Sequence, residues 1–218
     1  MKKLYAIGTG PGDPELLTLK AINRIKSSDI IFAPYNKGKN MALDTCKDFI
    51  DEDKLIFLEF PMGKVTKDIY RKNLDIIYEN IPQDGSGVFL NIGDSTFYST
   101  SMNMYRESNY EDLIIELVPG IPSFLAAGNI LQEALANKGE KFLLVDEYSE
   151  KDLEAADSIA ILKTFKNAYE IAKSLEENNF TWTYFLKISQ DEQKIINNLE
   201  ELKDMNEYMS LIIARRNG

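Results

Sequence analysis

Gly8-Thr9-Gly10-Pro11-Gly12-Asp13-Pro14-Glu15 is the stretch from which the rest of the chain is read. It follows an apolar run at residues 4–7 and precedes a segment of helical spacing, so it is a strand-to-helix turn. Three glycines in five residues let the backbone take positive φ and let a ligand approach without meeting a Cβ. The stretch is not the dinucleotide fingerprint, because Asp13 stands where the third glycine of G-x-G-x-x-G would fall and its charge repels a pyrophosphate. The lysine-bearing phosphate loop is missing too. Taken alone, the turn is either structural or a ligand loop.

Outward from it, apolar runs rich in β-branched or aromatic residues recur at 4–7, 30–32, 55–60, 88–92 and 113–118, separated by helix-period segments. That alternation predicts an α/β fold with strands that are at least in part parallel. Leu16, Leu19, Ile22 and Ile25 predict one buried helix face, leaving Lys20, Arg24 and Lys26 towards water. Further helices are expected at 41–50, holding Cys46 as a core thiol, and at 66–81, where Ile69, Leu74, Ile77 and Ile81 line one side. Two prolines and a glycine in Pro119-Gly120-Ile121-Pro122 stop a strand and turn the chain. The predicted division is an N-terminal α/β domain of residues 1–117 and a C-terminal α/β domain of 118–218. A helix at 123–135 and strands near 142–145, 159–162, 182–188 and 209–214 follow. Two halves meeting directly would leave a cleft between them.

Composition narrows the function. The chain has 218 residues, with 25 basic against 35 acidic and a net charge of −10, which opposes binding to phosphate backbones and anionic lipid surfaces. A nucleic-acid or membrane partner is therefore not expected. One cysteine excludes an intrachain disulfide, and no apolar stretch approaches a membrane span, so a cytoplasmic protein is expected. The absence of histidine excludes a histidine-built zinc site and a Ser-His-Asp triad.

Two more loops end inner strands. Asn91-Ile92-Gly93-Asp94-Ser95-Thr96-Phe97-Tyr98-Ser99-Thr100 sets a glycine, an acid and hydroxyls where open α/β sheets hold ligands; alternatively, Asp94 or Ser95 caps the next helix. Val118-Pro119-Gly120-Ile121-Pro122-Ser123 joins a strand to a small-residue helix that Ser123 is placed to cap.

In order, GTGPGDPELLTLK at 8–20, GDSTFYST at 93–100 and VPGIPSFLAA at 118–127 resemble the signature loops of the tetrapyrrole methylase family, and residues 29–34 resemble its second strand. Phe60-Pro61-Met62, Tyr98-Ser99-Thr100 and the run from Ser210 to Ile213 resemble the branch that methylates C-20 of precorrin-2 or cobalt-factor II. Ser95 departs from the family's GDP pattern, which predicts a looser turn, and Pro122 replaces a small hydroxyl residue. The segment around Glu133-Ala134-Leu135 departs from Ile-Pro-Leu. The resemblance implies two α/β domains with the cofactor S-adenosylmethionine in the cleft between them, S-adenosylhomocysteine as its product, a small-molecule tetrapyrrole substrate and a homodimer. Carried over by position, the cofactor contacts are Pro11, Ile92, Gly93, Asp94, Phe97, Pro122 and Ser123, with Leu162, Lys163 and Ser189 from the second domain. Asp94 and Tyr98 are the candidate catalytic residues, as acceptors of the proton released on methylation; no metal site is expected. Lys37, Lys39, Lys64, Lys67, Arg71 and Arg106 are candidate partners for substrate carboxylates, with Asp44 and Asp68 among them arguing for a mixed, solvated face.

Overall fold

Tyr5, Ile7, Val88 and Leu90 point to one side of a sheet, and Leu4 and Phe89 to the other; all are buried. A strand that is apolar on both faces must be covered on both, which is the condition of a parallel sheet. The computed structural model describes residues 1–35, 40–61 and 65–217. They belong to two compact units, Met1–Pro122 and Ser123–Gly218.

The first unit holds β1 (Lys2–Gly8), α1 (Leu19–Ser27), β2 (Ile30–Tyr35), α2 (Met41–Cys46), β3 (Leu55–Glu59), α3 (Lys67–Asn80), β4 (Ser86–Asn91), α4 (Thr100–Glu107) and β5 (Leu113–Val118). Its sheet has the order β3-β2-β4-β1-β5, every pair parallel. Ala21, Ile25, Ala42 and Cys46 lie in the core on one face, and Leu74, Ile77 and Met104 in that on the other. Val118, which the sequence assigns to the second domain, ends β5 opposite Ile7 in this unit.

The second unit holds α5 (Ser123–Leu131), β6 (Phe142–Val145), α6 (Lys151–Ala155), β7 (Ser158–Leu162), α7 (Ala168–Glu177), β8 (Phe180–Leu186), β9 (Lys194–Ile196), α8 (Leu199–Leu202) and β10 (Ser210–Arg216). Its sheet runs β6-β7-β10-β8-β9, parallel only between β6 and β7. Ile171 and Leu175 of α7 pack with Trp182, Tyr184 and Ile212, while Phe124 and Ala127 of α5 pack with Phe185 and Leu211. The α/β class and the two sheets are thus as expected.

The differences are local. Pro14–Leu16 forms a 3-10 turn capped by Asp13, whose Oδ1 accepts from Glu15 N at 2.8 Å. Thr18 then caps α1, its Oγ1 accepting from Ala21 N at 3.2 Å. The helix therefore starts later than its apolar spacing suggests, Leu17, Ala21 and Ile25 form the buried set, and Leu19 is 73% exposed. The helix expected over 41–50 stops at Cys46 and tightens into a 3-10 turn over Lys47–Phe49. That expected over 123–135 stops at Leu131, followed by Gln132 with φ 56.

Cys46 is fully buried in the first core, and burial pushes its thiol up to about 12. The thiolate is the reactive form, so native protein at pH 8 should not react with a thiol reagent over an hour, while urea-unfolded protein titrates one thiol within minutes. Rapid labelling of the native protein would contradict this burial.

Candidate functional site

In the first sheet the chain leaves β1 for β2 on one side and places β5 on the other. The carboxyl ends of β4, β1 and β5 therefore lie side by side at a topological switch point, where ligands of open α/β sheets bind. Ladder register puts Gly8 opposite Asn91 and Ile7 opposite Val118, so the three loops singled out from the sequence emerge together.

The loops are joined through backbone. Gly10 N donates to Gly93 O at 3.1 Å, and Gly93 N donates to Gly10 O at 2.8 Å. Both glycines are left-handed, with φ of 76° and 69°. Thr9 is buried and donates to Asn91 O from its N at 2.7 Å and from Oγ1 at 2.8 Å. Gly8 and Gly120 are needed for space: a Cβ on Gly8 would lie 2.6 Å from Gly120 N, and one on Gly120 would lie 2.6 Å from both Gly8 C and Gly8 O. A Cβ on Gly93 would meet nothing nearer than Pro122 Cα at 3.9 Å, so φ alone demands glycine there.

Asp94 is 8% exposed, and both of its carboxylate oxygens are engaged. Oδ1 accepts from Thr96 N at 2.8 Å and from Thr96 Oγ1; Oδ2 accepts from Gly120 N at 3.0 Å. Asp94 thus braces the second loop against the third. The helix that follows is capped neither by Asp94 nor by Ser95 but by Ser99, whose Oγ accepts from Ser101 N at 3.1 Å. Ser95 turns inward: fully buried, its Oγ lies 2.8 Å from Ala6 O and 3.0 Å from Val118 O. The looser turn expected from the missing proline is not found, because the hydroxyl ties that turn to β1 and β5.

Around this frame Pro11 and Pro122 are buried, while Ile92, Phe97 and Tyr98 are 45%, 47% and 51% exposed. Tyr98 has φ 47°, a left-handed conformation that costs a non-glycine residue energy. Pro11, Ile92, Gly93, Asp94, Phe97, Tyr98 and Pro122 thus all sit on the loops at one edge of the first sheet. The edge offers backbone donors and acceptors beside exposed apolar and aromatic side chains, a lining suited to a ligand with a flat ring and a polar tail.

Ser123 opens α5 in the second unit and is partly exposed. Leu162, Lys163 and Ser189 share one end of the second sheet, since Leu211 pairs with Leu162 and Ser210 with Leu186. Lys163 and Ser189 are left-handed there, as are Lys187 and Met209. Lys163 Nζ lies 2.8 Å from Asp146 Oδ2, and Ser189 N donates to Gln193 Oε1 at 2.7 Å. Glu192 and then Glu207 hold the Lys187 ammonium above its ordinary range. Four left-handed non-glycine residues at one sheet end have no counterpart in the sequence reading, which looks for glycine at such positions.

Of the basic candidates, Lys67 Nζ lies 3.4 Å and Arg71 Nη2 3.0 Å from the carboxylate of Glu107, so the two share one acid. Arg106 is exposed on α4. Lys37, Lys39 and Lys64, like Met62, lie outside the described residues. Among the described residues, no helix is long and apolar enough to cross a membrane.

Residues 3–203 match the model of the family described as Tetrapyrrole (Corrin/Porphyrin) Methylases. The chain is 31% identical to a probable cobalt-precorrin-2 C(20)-methyltransferase of Methanocaldococcus jannaschii, over 99% of its own length and 97% of the relative's. It is 25% identical to the cobalt-precorrin-2 C(20)-methyltransferase of Salmonella typhimurium, over 75% and 73% of the two chains. Its fold is similar to that of a uroporphyrin-III C-methyltransferase of Thermus thermophilus in complex with S-adenosylhomocysteine, with TM-score 0.69, 22% identity and 98% and 97% coverage. A cobalt precorrin-4 methyltransferase is likewise similar, with TM-score 0.73, 19% identity and 98% and 94% coverage.

Proposed function

Because this chain belongs to the tetrapyrrole (corrin/porphyrin) methylase family, we propose that it is an S-adenosylmethionine-dependent methyltransferase acting at C-20 of precorrin-2 or its cobalt-bound form. The observation that carries the reading is full-length similarity to a probable cobalt-precorrin-2 C(20)-methyltransferase, in a chain whose three glycine loops converge on one sheet edge.

The first unit's loops fit such a cofactor. Gly93 leaves open space beside exposed Ile92 and Phe97, so backbone at Ile92, Gly93 and Asp94 can meet the polar part while Phe97 covers an apolar face. Pro11 and Pro122 stiffen the flanking turns. Ser123, Leu162, Lys163 and Ser189 are assigned to the same cofactor by family resemblance alone.

When bound, S-adenosylmethionine supplies an electrophilic sulfonium methyl and is released as S-adenosylhomocysteine. The chain's part is placement, and well-aligned reactants gain on the order of 7–11 kcal/mol. Forming the new carbon–carbon bond leaves one proton on the substrate carbon. Tyr98, Asp94 and water are the acceptors considered; Tyr98 is the more exposed of the two side chains, and both oxygens of Asp94 already serve the loops. Working as a homodimer in the cytoplasm completes the proposal.

S-adenosylhomocysteine at about 100 times its dissociation constant should stabilise the protein by roughly 2.7 kcal/mol, a rise of roughly 5–10 °C in a thermal-shift assay for a chain of this size. NAD should give none. Incubation with S-adenosylmethionine and metal-free or cobalt-loaded precorrin-2 should add one methyl, located at C-20 by NMR. A methyl at another carbon would move the chain to another branch of the family; tight cofactor binding with no transfer would make it a non-catalytic relative.

A further inference from the structure

Ser95 is the one member of Gly93-Asp94-Ser95 to which the proposed function gives no task. It follows β4, yet its fully buried Oγ lies 2.8 Å from Ala6 O on β1 and 3.0 Å from Val118 O on β5. Because β1 stands between β4 and β5, the turn crosses the end of β1 and sets one side chain in the seam beyond it. A single hydroxyl proton is shared by two carbonyls. Proline, which the GDP pattern places here, would make neither bond.

We propose that Ser95 is a positioning residue, whose buried hydroxyl fixes the backbone of Ile92, Gly93 and Asp94 to β1 and β5 so that it is set before the cofactor arrives. Three successive residues anchor this turn to different neighbours: Gly93 to Gly10, Asp94 to Gly120, and Ser95 to Ala6 and Val118. Only the last anchor depends on the residue by which this chain departs from the GDP pattern. At a fully buried position, a hydroxyl that leaves its acceptors pays a desolvation penalty, so the bonds persist. A preset loop loses less conformational freedom on binding.

The proposal rests on the cofactor reading, and its test separates the two. Ser95→Ala and Ser95→Cys are made in the full chain, and S-adenosylhomocysteine binding is measured by calorimetry at a temperature where circular dichroism shows each folded. Amide exchange is followed at Gly93 and Gly120, whose N–H groups bond Gly10 O and Asp94 Oδ2, and at Ile7 and Leu90 within the strands. For Ser95→Ala, affinity should fall about 5-fold, the worth of one buried hydrogen bond. Gly93 and Gly120 should exchange severalfold faster, with Ile7 and Leu90 unchanged. Ser95→Cys, a weaker donor of similar shape, should fall between parent and alanine. Parent-like affinity and exchange in Ser95→Ala would overturn the proposal. So would uniform acceleration at all four amides, or failure of both variants to fold, since either makes the hydroxyl a general stabiliser. If the parent itself does not bind S-adenosylhomocysteine, the cofactor reading fails, and the exchange comparison still decides the role of Ser95.

Discussion

Gly120→Ala is expected to abolish detectable S-adenosylhomocysteine binding and to destabilise the first unit by about 3 kcal/mol, the upper range for overpacking. The new methyl would lie 2.6 Å from Gly8 C and Gly8 O and would also meet Gly93 O. Ordinary carbon contacts begin at about 3.5 Å, so close to 1 Å must be found. All three obstacles are backbone, and no side-chain rotation relieves them. The ends of β1, β4 and β5 must part, and a displacement of about 1 Å at a site of this kind costs on the order of 100-fold in activity. Gly93→Ala is the informative comparison. Its Cβ would meet nothing closer than 3.9 Å, so the cost is that of holding alanine at φ 69°, about 1 kcal/mol. Urea unfolding should therefore rank Gly120→Ala well below Gly93→Ala. A Gly120→Ala protein that binds like the parent would show that the loops do not meet as described.

How far the sequence revealed this arrangement depends on the distance over which each determinant acts. The strands of the first sheet were legible because both faces are apolar: 4–7 is an unbroken run and 88–92 is interrupted only by Asn91, and the structure forms β1 and β4 there. The phase of α1 was not, because Thr18 and the preceding 3-10 turn delay its start and turn Leu19 outward, a capping choice that hydrophobic spacing does not record. β9, three residues long, is too short to show a period. At the site, the glycine loops were visible one by one, but the reasons for their glycines were not. Gly8 and Gly120 are glycine because they face each other, 112 positions apart in the chain, and no local pattern reports that. Ser95 looked like a defect in a turn for the same reason, since its partners are Ala6 and Val118. In the second unit the left-handed positions Lys163, Lys187, Ser189 and Met209 carry side chains, so the usual glycine flag is missing.

Asp94→Ala should lower the stability of the first unit by about 2–4 kcal/mol and reduce methyl transfer at least 100-fold through loss of cofactor binding. The carboxylate accepts from Thr96 N at 2.8 Å, from Thr96 Oγ1 and from Gly120 N at 3.0 Å while only 8% exposed. Its removal strands two backbone donors in a poorly solvated place, each costing about 1–3 kcal/mol. Asp94→Asn keeps one acceptor oxygen but turns an NH2 group towards the other donor, so it should fall midway in both stability and binding. A residue that only accepted the reaction's proton would behave otherwise: stability and S-adenosylhomocysteine affinity would hold, and kcat alone would drop. Tyr98→Phe provides the contrast, since it removes the other candidate proton acceptor from a half-exposed side chain. If water can take the proton, that variant should keep its stability and lose less than about 10-fold in kcat, below the usual contribution of a positioned acid or base. Measuring stability, ligand affinity and kcat on the same three variants therefore separates the brace from the base. Should Asp94→Asn retain parent stability and affinity while kcat collapses, the carboxylate is the proton acceptor, and its bonds to Thr96 and Gly120 serve to aim it.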